Sequence, residues 1–198
     1  MTDQAFSISD LPVLSLNSVR LEPLNVGHAE GLAQAVQDGE IYNLMVTFAP
    51  RPEDVPNYIK DLLELQTKGQ RYTFVVIEEN TQRVIGTTSF YDLVADIRSL
   101  KIGYTWYAKT HQRTHVNTTC KLLLLQYAFE VLKANTVVFE TDILNKISQK
   151  AIARLGAKQD GVLRGQKLRK DGSLRDTMIF SIIAEEWPAI QQNLQAHL

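Results

Sequence analysis

A chain of 198 residues, 44% apolar and 22% charged, is long enough for one domain with a buried core and has ordinary globular composition. The net charge of −1 supplies no overall field toward nucleic acid or an acidic membrane surface, so neither is expected as a partner. The single Cys120 excludes an internal disulfide and a cysteine-rich metal site. No apolar run approaches the ~20 residues that cross a bilayer, and the polar, acidic start MTDQAFSISD does not read as a secretory signal, so a cytoplasmic protein is expected.

After an irregular opening, Val19 to Leu24 alternates apolar and polar as a half-buried strand does. Asn25 can cap a helix carrying Ala29, Leu32, Ala33 and Val36, which Gly39 stops. A second helix follows Arg51, with Val55, Tyr58, Ile59, Leu62 and Leu63 at helical spacing before Gly69. The period then changes. Tyr72 to Ile77 and Val84 to Tyr91 read as strands joined by the polar turn Glu79 to Gln82, and Leu100 to Tyr107 as a third.

Asn117 to Leu132 reads as a long helix whose run Leu122-Leu123-Leu124-Leu125 implies burial around much of its circumference. Thr136 to Phe139 is a short strand. Asn145 caps a helix with Ile147, Ala151, Ile152 and Leu155 on one face, closed by Gly156. Val162 to Leu168 and Thr177 to Ile183 flank the turn Lys170-Asp171-Gly172. The order β-α-α-β-β-β-α-β-α-β-β demands one parallel crossover between antiparallel hairpins, hence an α/β (α+β) fold with a mixed sheet.

Chemistry concentrates in Tyr104 to Lys121, where a strand enters a polar loop that opens onto the long helix. A helix start at Asn117, Thr118 and Thr119 leaves free backbone N–H groups, an end that binds phosphate readily, with Arg113 and His115 as added donors. A plain capped βα turn explains the same residues. The four histidines (His28, His111, His115, His197) show no ligand spacing, so no metal site is expected.

The stretches VRLEPL, VIGTTSFYD, IGYTWYA, NTTCKLLLLQYAFEVL, TDILNKISQKAIARLGAKQDGVLR and DGSLRDTMIFSI, in this order over roughly Asn17 to Ala184, resemble the GNAT superfamily of acyl-CoA N-acyltransferases. The resemblance is to the branch that includes ribosomal-protein N-terminal acetyltransferases. It implies an extension at 1–16, a GNAT-like domain at 17–184 and a helical tail at 185–198. It further implies helices on both faces of the sheet and a central parallel strand pair splayed to admit the pantetheine arm of acetyl-CoA. The family's pyrophosphate loop, Gln/Arg-x-x-Gly-x-Gly/Ala, corresponds to Gln112, Arg113, Thr114, His115, Val116 and Asn117, with Thr118 following. Gln112 matches, whereas His115 and Asn117 replace the small residues. His115 either turns its imidazole outward or, at positive φ, costs of order 1 kcal/mol.

In similar proteins an Asn at the position of Asn145 contacts pantetheine and a Ser at that of Ser148 faces the cofactor sulfur. The resemblance implies that the oxyanion donor is a backbone N–H near Tyr107, beside Trp106. Where many relatives place a tyrosine acid this sequence has Ile152, so the resemblance implies Ser148 as the acid, relaying or orienting a proton. The base stays open among Glu140, Asp142, Asp92 and Tyr104. The basic hairpin of Arg164, Lys167, Arg169, Lys170 and Arg175 reads as a solvated edge, a cover for CoA phosphates or a guide for an acidic peptide. The implied activity is acetyl transfer from acetyl-CoA to a small-molecule amine or a protein N-terminus. A non-catalytic CoA-binding sensor or scaffold on the same fold is the alternative, and a homodimer is allowed.

Overall fold

In the computed structural model, which describes residues 6–196 and 198, the chain begins with β1 (Leu14–Leu16), β2 (Val19–Pro23), α1 (Ala29–Gln37) and α2 (Val55–Thr67). Strands β3 (Arg71–Glu78), β4 (Arg83–Val94) and β5 (Ser99–Tyr107) follow. Then come α3 (Val116–Gln126), β6 (Thr136–Asp142), α4 (Lys146–Arg154), β7 (Lys158–Leu168), β8 (Leu174–Ile183) and α5 (Trp187–Ala196). His197 and residues 1–5 lie outside the described residues.

The strand absent from the sequence reading is β1. Three residues are too few to show a period, yet Leu16 pairs with Val19 across Asn17 (φ 47°) and Ser18 (φ 60°). Two left-handed residues in succession make the turn whose twist suits a tight hairpin. Asn25 caps as expected, through a 3₁₀ turn at Val26–His28 that precedes α1. Its side chain accepts from the Gly27 amide at 2.8 Å, and His28 Nδ1 accepts from the Asn25 amide at 3.2 Å.

The helix expected over Asn117 to Leu132 starts at Val116, with His115 as its N-cap, and ends as α-helix at Gln126 before a wider π turn at Tyr127–Val131. All four leucines of Leu122 to Leu125 are buried, because α3 packs against the sheet, including β1 and β2, and against α5. The stretch 185–198 contributes α5, whose Trp187 is buried and stacks on Phe129 with ring centroids 5.4 Å apart.

All eight strands form one sheet in the order β1-β2-β3-β4-β5-β6-β8-β7. Helices cover both faces. On the α3 side Phe74, Phe90, Leu100, Ile102 and Phe139 make the main core with Leu122 and Leu124. On the other side Leu32, Val36 and Ile59 of α1 and α2 cover Val75, Ile77 and Trp106.

The parallel pair is β5 and β6, and its ladder is short: Ser99, Leu100 and Lys101 pair with Thr136, Val137 and Val138. Beyond that point each strand follows its antiparallel neighbour. β5 stays with β4 as far as Tyr107 opposite Gly86, and β6 stays with β8 as far as Asp142 opposite Thr177. The two central strands therefore splay, and no ladder joins Trp106 or Tyr107 to Thr141.

Candidate active site

The floor of the splay is shaped by a bulge. Thr87 pairs with Trp106 and Ser89 with Gly103, so Tyr104 and Thr105 together stand opposite Thr88. Tyr104 takes the left-handed conformation (φ 50°) that this geometry requires. The extra residue resets the alternation. Gly103 and Tyr104 both face the α1–α2 side, while Thr105 returns to the α3 side, where it meets Lys121. Tyr91 fills the space over Gly103, where a Cβ would fall 2.9 Å from its ring.

The end of β5 has a defined polarity. The Ala108 amide donates to Ile85 O of β4 at 2.8 Å. Tyr107 C=O, across the same planar peptide, therefore points to the open side, where it accepts from Gln112 Nε2 at 3.1 Å. In extended backbone a residue's own N–H and C=O share an edge, so the Tyr107 N–H also faces the splay. The Tyr107 side chain goes elsewhere: buried, it donates from Oη to Asn117 Oδ1 at 3.3 Å, and burial pushes its phenol well above the usual range. Trp106 points to the opposite face, its Nε1 donating to Tyr58 Oη at 3.4 Å.

In the loop after β5 the strained residue is Arg113 (φ 62°), whereas His115 is right-handed (φ −64°). The conformational demand of the missing glycine thus falls two residues earlier than expected. His115 points outward, its Nε2 3.2 Å from Asn17 O. Thr114 Oγ1 accepts from the Val116 amide at 3.3 Å. The amides of Asn117 and Thr118 have no acceptor among the described residues, so the first turn of α3 presents free N–H groups beside the exposed Arg113. Val116 itself is buried, and Thr118 Oγ1 accepts from Arg154 Nη2 at 3.1 Å.

Asn145 is the N-cap of α4, its Oδ1 accepting from the Ser148 amide at 3.0 Å. That bond uses one side-chain oxygen lone pair and leaves the Nδ2 donors free. Ser148 is partly exposed, and its hydroxyl makes no bond with any described residue. Ile152 is buried in the main core and offers no proton.

The α1–α2 side of the sheet is polar where the helices stop covering it. Glu140 of β6, its side chain 3% exposed, accepts from Lys101 Nζ at 2.6 Å and Lys167 Nζ at 2.8 Å. Burial alone would raise its pKa, but the two lysines outweigh it and hold the carboxyl below the ordinary glutamate value. Asp142 is locked by Arg169 at 2.7 and 3.0 Å, which lowers its pKa. Asp92 pairs with Lys101 at 2.9 Å. The basic hairpin is therefore not simply a solvated edge: Lys167 and Arg169 turn inward to the carboxylates of β6, and Arg175 is buried. At its tip Lys170 Nζ donates to Tyr42 O at 3.0 Å, bringing exposed Leu168 and Leu174 toward the loop that carries exposed Leu44, Met45 and Phe48.

Residues Tyr107, Gln112, Arg113, Thr114, Asn117, Thr118, Asn145 and Ser148 thus belong to the segments that end β5 and open α3 and α4. The side chains of Trp106 and Val116 are buried away from that surface and His115 is tied to Asn17, so these three can contribute through backbone alone. Sequence reasoning passed over Arg71 and Tyr91. A lone arginine opening the apolar strand RYTFVVI was the available signal.

Residues 18–158 match the family model described as an acetyltransferase (GNAT) domain. An uncharacterized N-acetyltransferase, p20 of Bacillus licheniformis, is 25% identical over 178 residues, covering 89% of this chain and 99% of p20. A crystal structure from T. thermophilus, assigned as an acetyltransferase, superposes with TM-score 0.83 at 31% identity, covering 96% of this chain and 100% of that one. The fold is shared with ribosomal-protein-S5-alanine acetyltransferase from Vibrio fischeri, with TM-score 0.73, 16% identity and coverage of 89% and 98%.

Proposed function

The chain belongs to the GNAT acetyltransferases, and on that premise we propose that it moves an acetyl group from acetyl-CoA directly to a primary amine. The observation that carries this reading is the open edge of β5 beyond Lys101, with the Tyr107 N–H directed into the splay. Buried backbone groups need partners, and the amide-rich pantetheine supplies them. The free amides of Asn117 and Thr118, with Arg113 beside them and Gln112 bracing the strand end, suit a pyrophosphate at the positive end of α3. Asn145 has donors left for pantetheine.

The residues divide the proton and charge work. Tyr107 N–H is the donor for the acyl oxygen as negative charge grows there. Ser148 relays a proton to the departing sulfur. Glu140, through water, takes the proton the amine must lose; its low pKa suits a relay better than a direct base. Positioning supplies much of the remaining rate. We assign this activity to the span 17–184 and a cytoplasmic setting, consistent with the one buried, unpaired Cys120. The acceptor is a small amine or a protein N-terminus; likeness to the Vibrio fischeri enzyme favours the latter at the level of fold.

Isothermal titration with acetyl-CoA, followed by thiol release over an amine panel, tests the reading. Arg113→Ala is expected to weaken acetyl-CoA binding by roughly 1–3 kcal/mol at low salt. Ser148→Ala is expected to lower turnover about tenfold to a hundredfold with a smaller change in acetyl-CoA affinity. Absent binding overturns the proposal. Binding without release for any amine makes the chain a CoA-binding sensor or scaffold.

A further inference from the structure

Arg71, the first residue of β3, is buried at 7% exposure on the face that carries Glu140. Its Nε donates to Ser89 Oγ at 3.0 Å, and the guanidinium lies over the Tyr104 ring, 4.0 Å from the centroid. The forked end of the guanidinium is unused. Nη2 is buried without a partner, and no hydrogen bond or ion pair engages Nη1 among the described residues. A buried arginine without a carboxylate is costly, because the group is always charged and its donors have left water. Arg71 is also fixed in place, by Ser89 at one edge and by Tyr104 beneath its plane. Tyr104 is itself held edge-on by Phe48 and Tyr91 at 5.2 and 4.8 Å.

This guanidinium lines a cleft of about 430 Å³, walled by Tyr91 and Tyr104 and rimmed by Leu65, Asp92 and Leu93. The Asp92 carboxylate is already engaged by Lys101, and the same ammonium binds Glu140. Lys101 thus ties the rim of the cleft to Glu140 of β6. The bulge at Tyr104 makes the arrangement: without it the tyrosine would point to the α3 side and Arg71 would have no ring to lie on.

We propose that this cleft is a carboxylate subsite of the acceptor site, in which the free fork of Arg71 binds a carboxylate carried by the same molecule whose amine is acetylated. The inference rests on the acetyltransferase reading for its second half only. A permanently charged guanidinium at a cleft wall, with no carboxylate of its own, is matched by a ligand carboxylate, which supplies the missing charge and accepts from its unused N–H groups. The Tyr104 face stacks against the guanidinium rather than the ligand. Apolar Leu65 and Leu93 at the rim accommodate a short methylene chain between the two groups. The carboxylate can come from a free amino acid or from an acidic side chain near a peptide N-terminus.

The first experiment needs no turnover. Glutarate and glutaramide are titrated into the full-length wild-type protein and into Arg71→Gln, and melting temperature is followed. Glutarate alone is expected to raise it, in the wild type alone. Equal effects of the two compounds on the wild type, or no effect of either at tens of millimolar, overturn the subsite even if acetyl transfer itself is later disproved. The second compares kcat/KM for 4-aminobutanoate against 4-aminobutanamide, and for the peptide amide Ser-Asp-Ala against Ser-Asn-Ala. At least one acid is expected to be preferred about tenfold or more over its amide, through KM, with the preference collapsing toward unity in Arg71→Gln. The preferred pair tells which source of carboxylate the site takes. Should Arg71→Gln fail to fold, the wild-type pairs still decide: transfer to all four acceptors without preference overturns the proposal while leaving the acetyltransferase reading intact.

Discussion

Phe139 and Glu140 are consecutive on β6, yet they sit on faces of the sheet that follow different rules. On the α3 side Phe139 joins a continuous apolar layer with Phe90, Leu100, Ile102 and Phe180. On the opposite side apolar cover ends with α1 and α2, and the rest of the face is Arg71, Tyr91, Lys101, Glu140, Asp142 and Arg175, all buried or partly buried. Lys101, Glu140 and Asp142 each meet an opposite charge there, whereas no ion pair is found for Arg71 or Arg175 among the described residues. One face stores stability in area removed from water. The other spends some of it to keep polar groups aimed at an opening.

The adjacent pair gives the largest expected contrast. Phe139→Ala removes a fully buried ring and should cost about 4 kcal/mol in urea unfolding. Glu140→Gln should cost under about 1 kcal/mol, because Lys101 and Lys167 are partly exposed and can turn to water, but should lower turnover about tenfold. Equal destabilisation by the two would erase the distinction between the faces.

Within the polar face Arg169 grips Asp142 through two nitrogens, and Arg169→Ala should lower stability in urea unfolding by leaving a buried carboxylate without its cation. Arg169 holds the Asp142 pKa below its unfolded value. The stabilisation is therefore full above the ordinary aspartate range and is lost as pH falls through the lowered native value. The wild-type and variant stability curves should converge at acid pH. A gap that persists there would assign the loss to packing of the Arg169 stem.

The apolar face was the more legible in sequence. Alternation and helical spacing placed every strand from β2 to β8 and the helices α1 to α4, since burial selects residue type position by position. The short ladder of β5 with β6 was also foreseeable: Thr141 and Asp142 end β6 without an apolar continuation. The polar face was not legible, for a physical reason. A bulge shifts the alternation without leaving a mark on composition, so Tyr104 could be suspected but not aimed. Arg71 read as a strand border because its neighbours Ser89 and Tyr104 lie 18 and 33 positions away. The loop shows the same limit. The glycine replacement was visible at His115, but the chain takes its positive φ at Arg113, a choice set by how the 3₁₀ turn Lys109–His111 delivers the backbone to α3.

A buried charge interrupts the apolar layer on the α3 side, and it offers the finest test. Lys121 of α3 is buried, and its ammonium donates to Thr88 Oγ1 at 3.0 Å and Thr105 Oγ1 at 2.7 Å. The two hydroxyls are 2.8 Å apart, and no carboxylate pairs with the lysine among the described residues. Burial drags its pKa down to about 8. The native state thus gives up this proton before the unfolded chain does, so between about pH 8 and the unfolded value near 10.5 the unfolded chain holds more protons and stability rises with pH. Its neighbour Cys120 acts oppositely. Burial raises the thiol from 9.0 to about 11, so above pH 9 the unfolded state is favoured by losing a proton the native state keeps. The window from pH 8 to 9 isolates the lysine. Across it the wild type should gain about 1 kcal/mol relative to Lys121→Met, from the proton difference integrated over that unit. Urea unfolding of both proteins at pH 7, 8 and 9 measures it. Parallel curves would mean that the ammonium is solvated or paired in solution, and that the α3 face holds a polar site of its own.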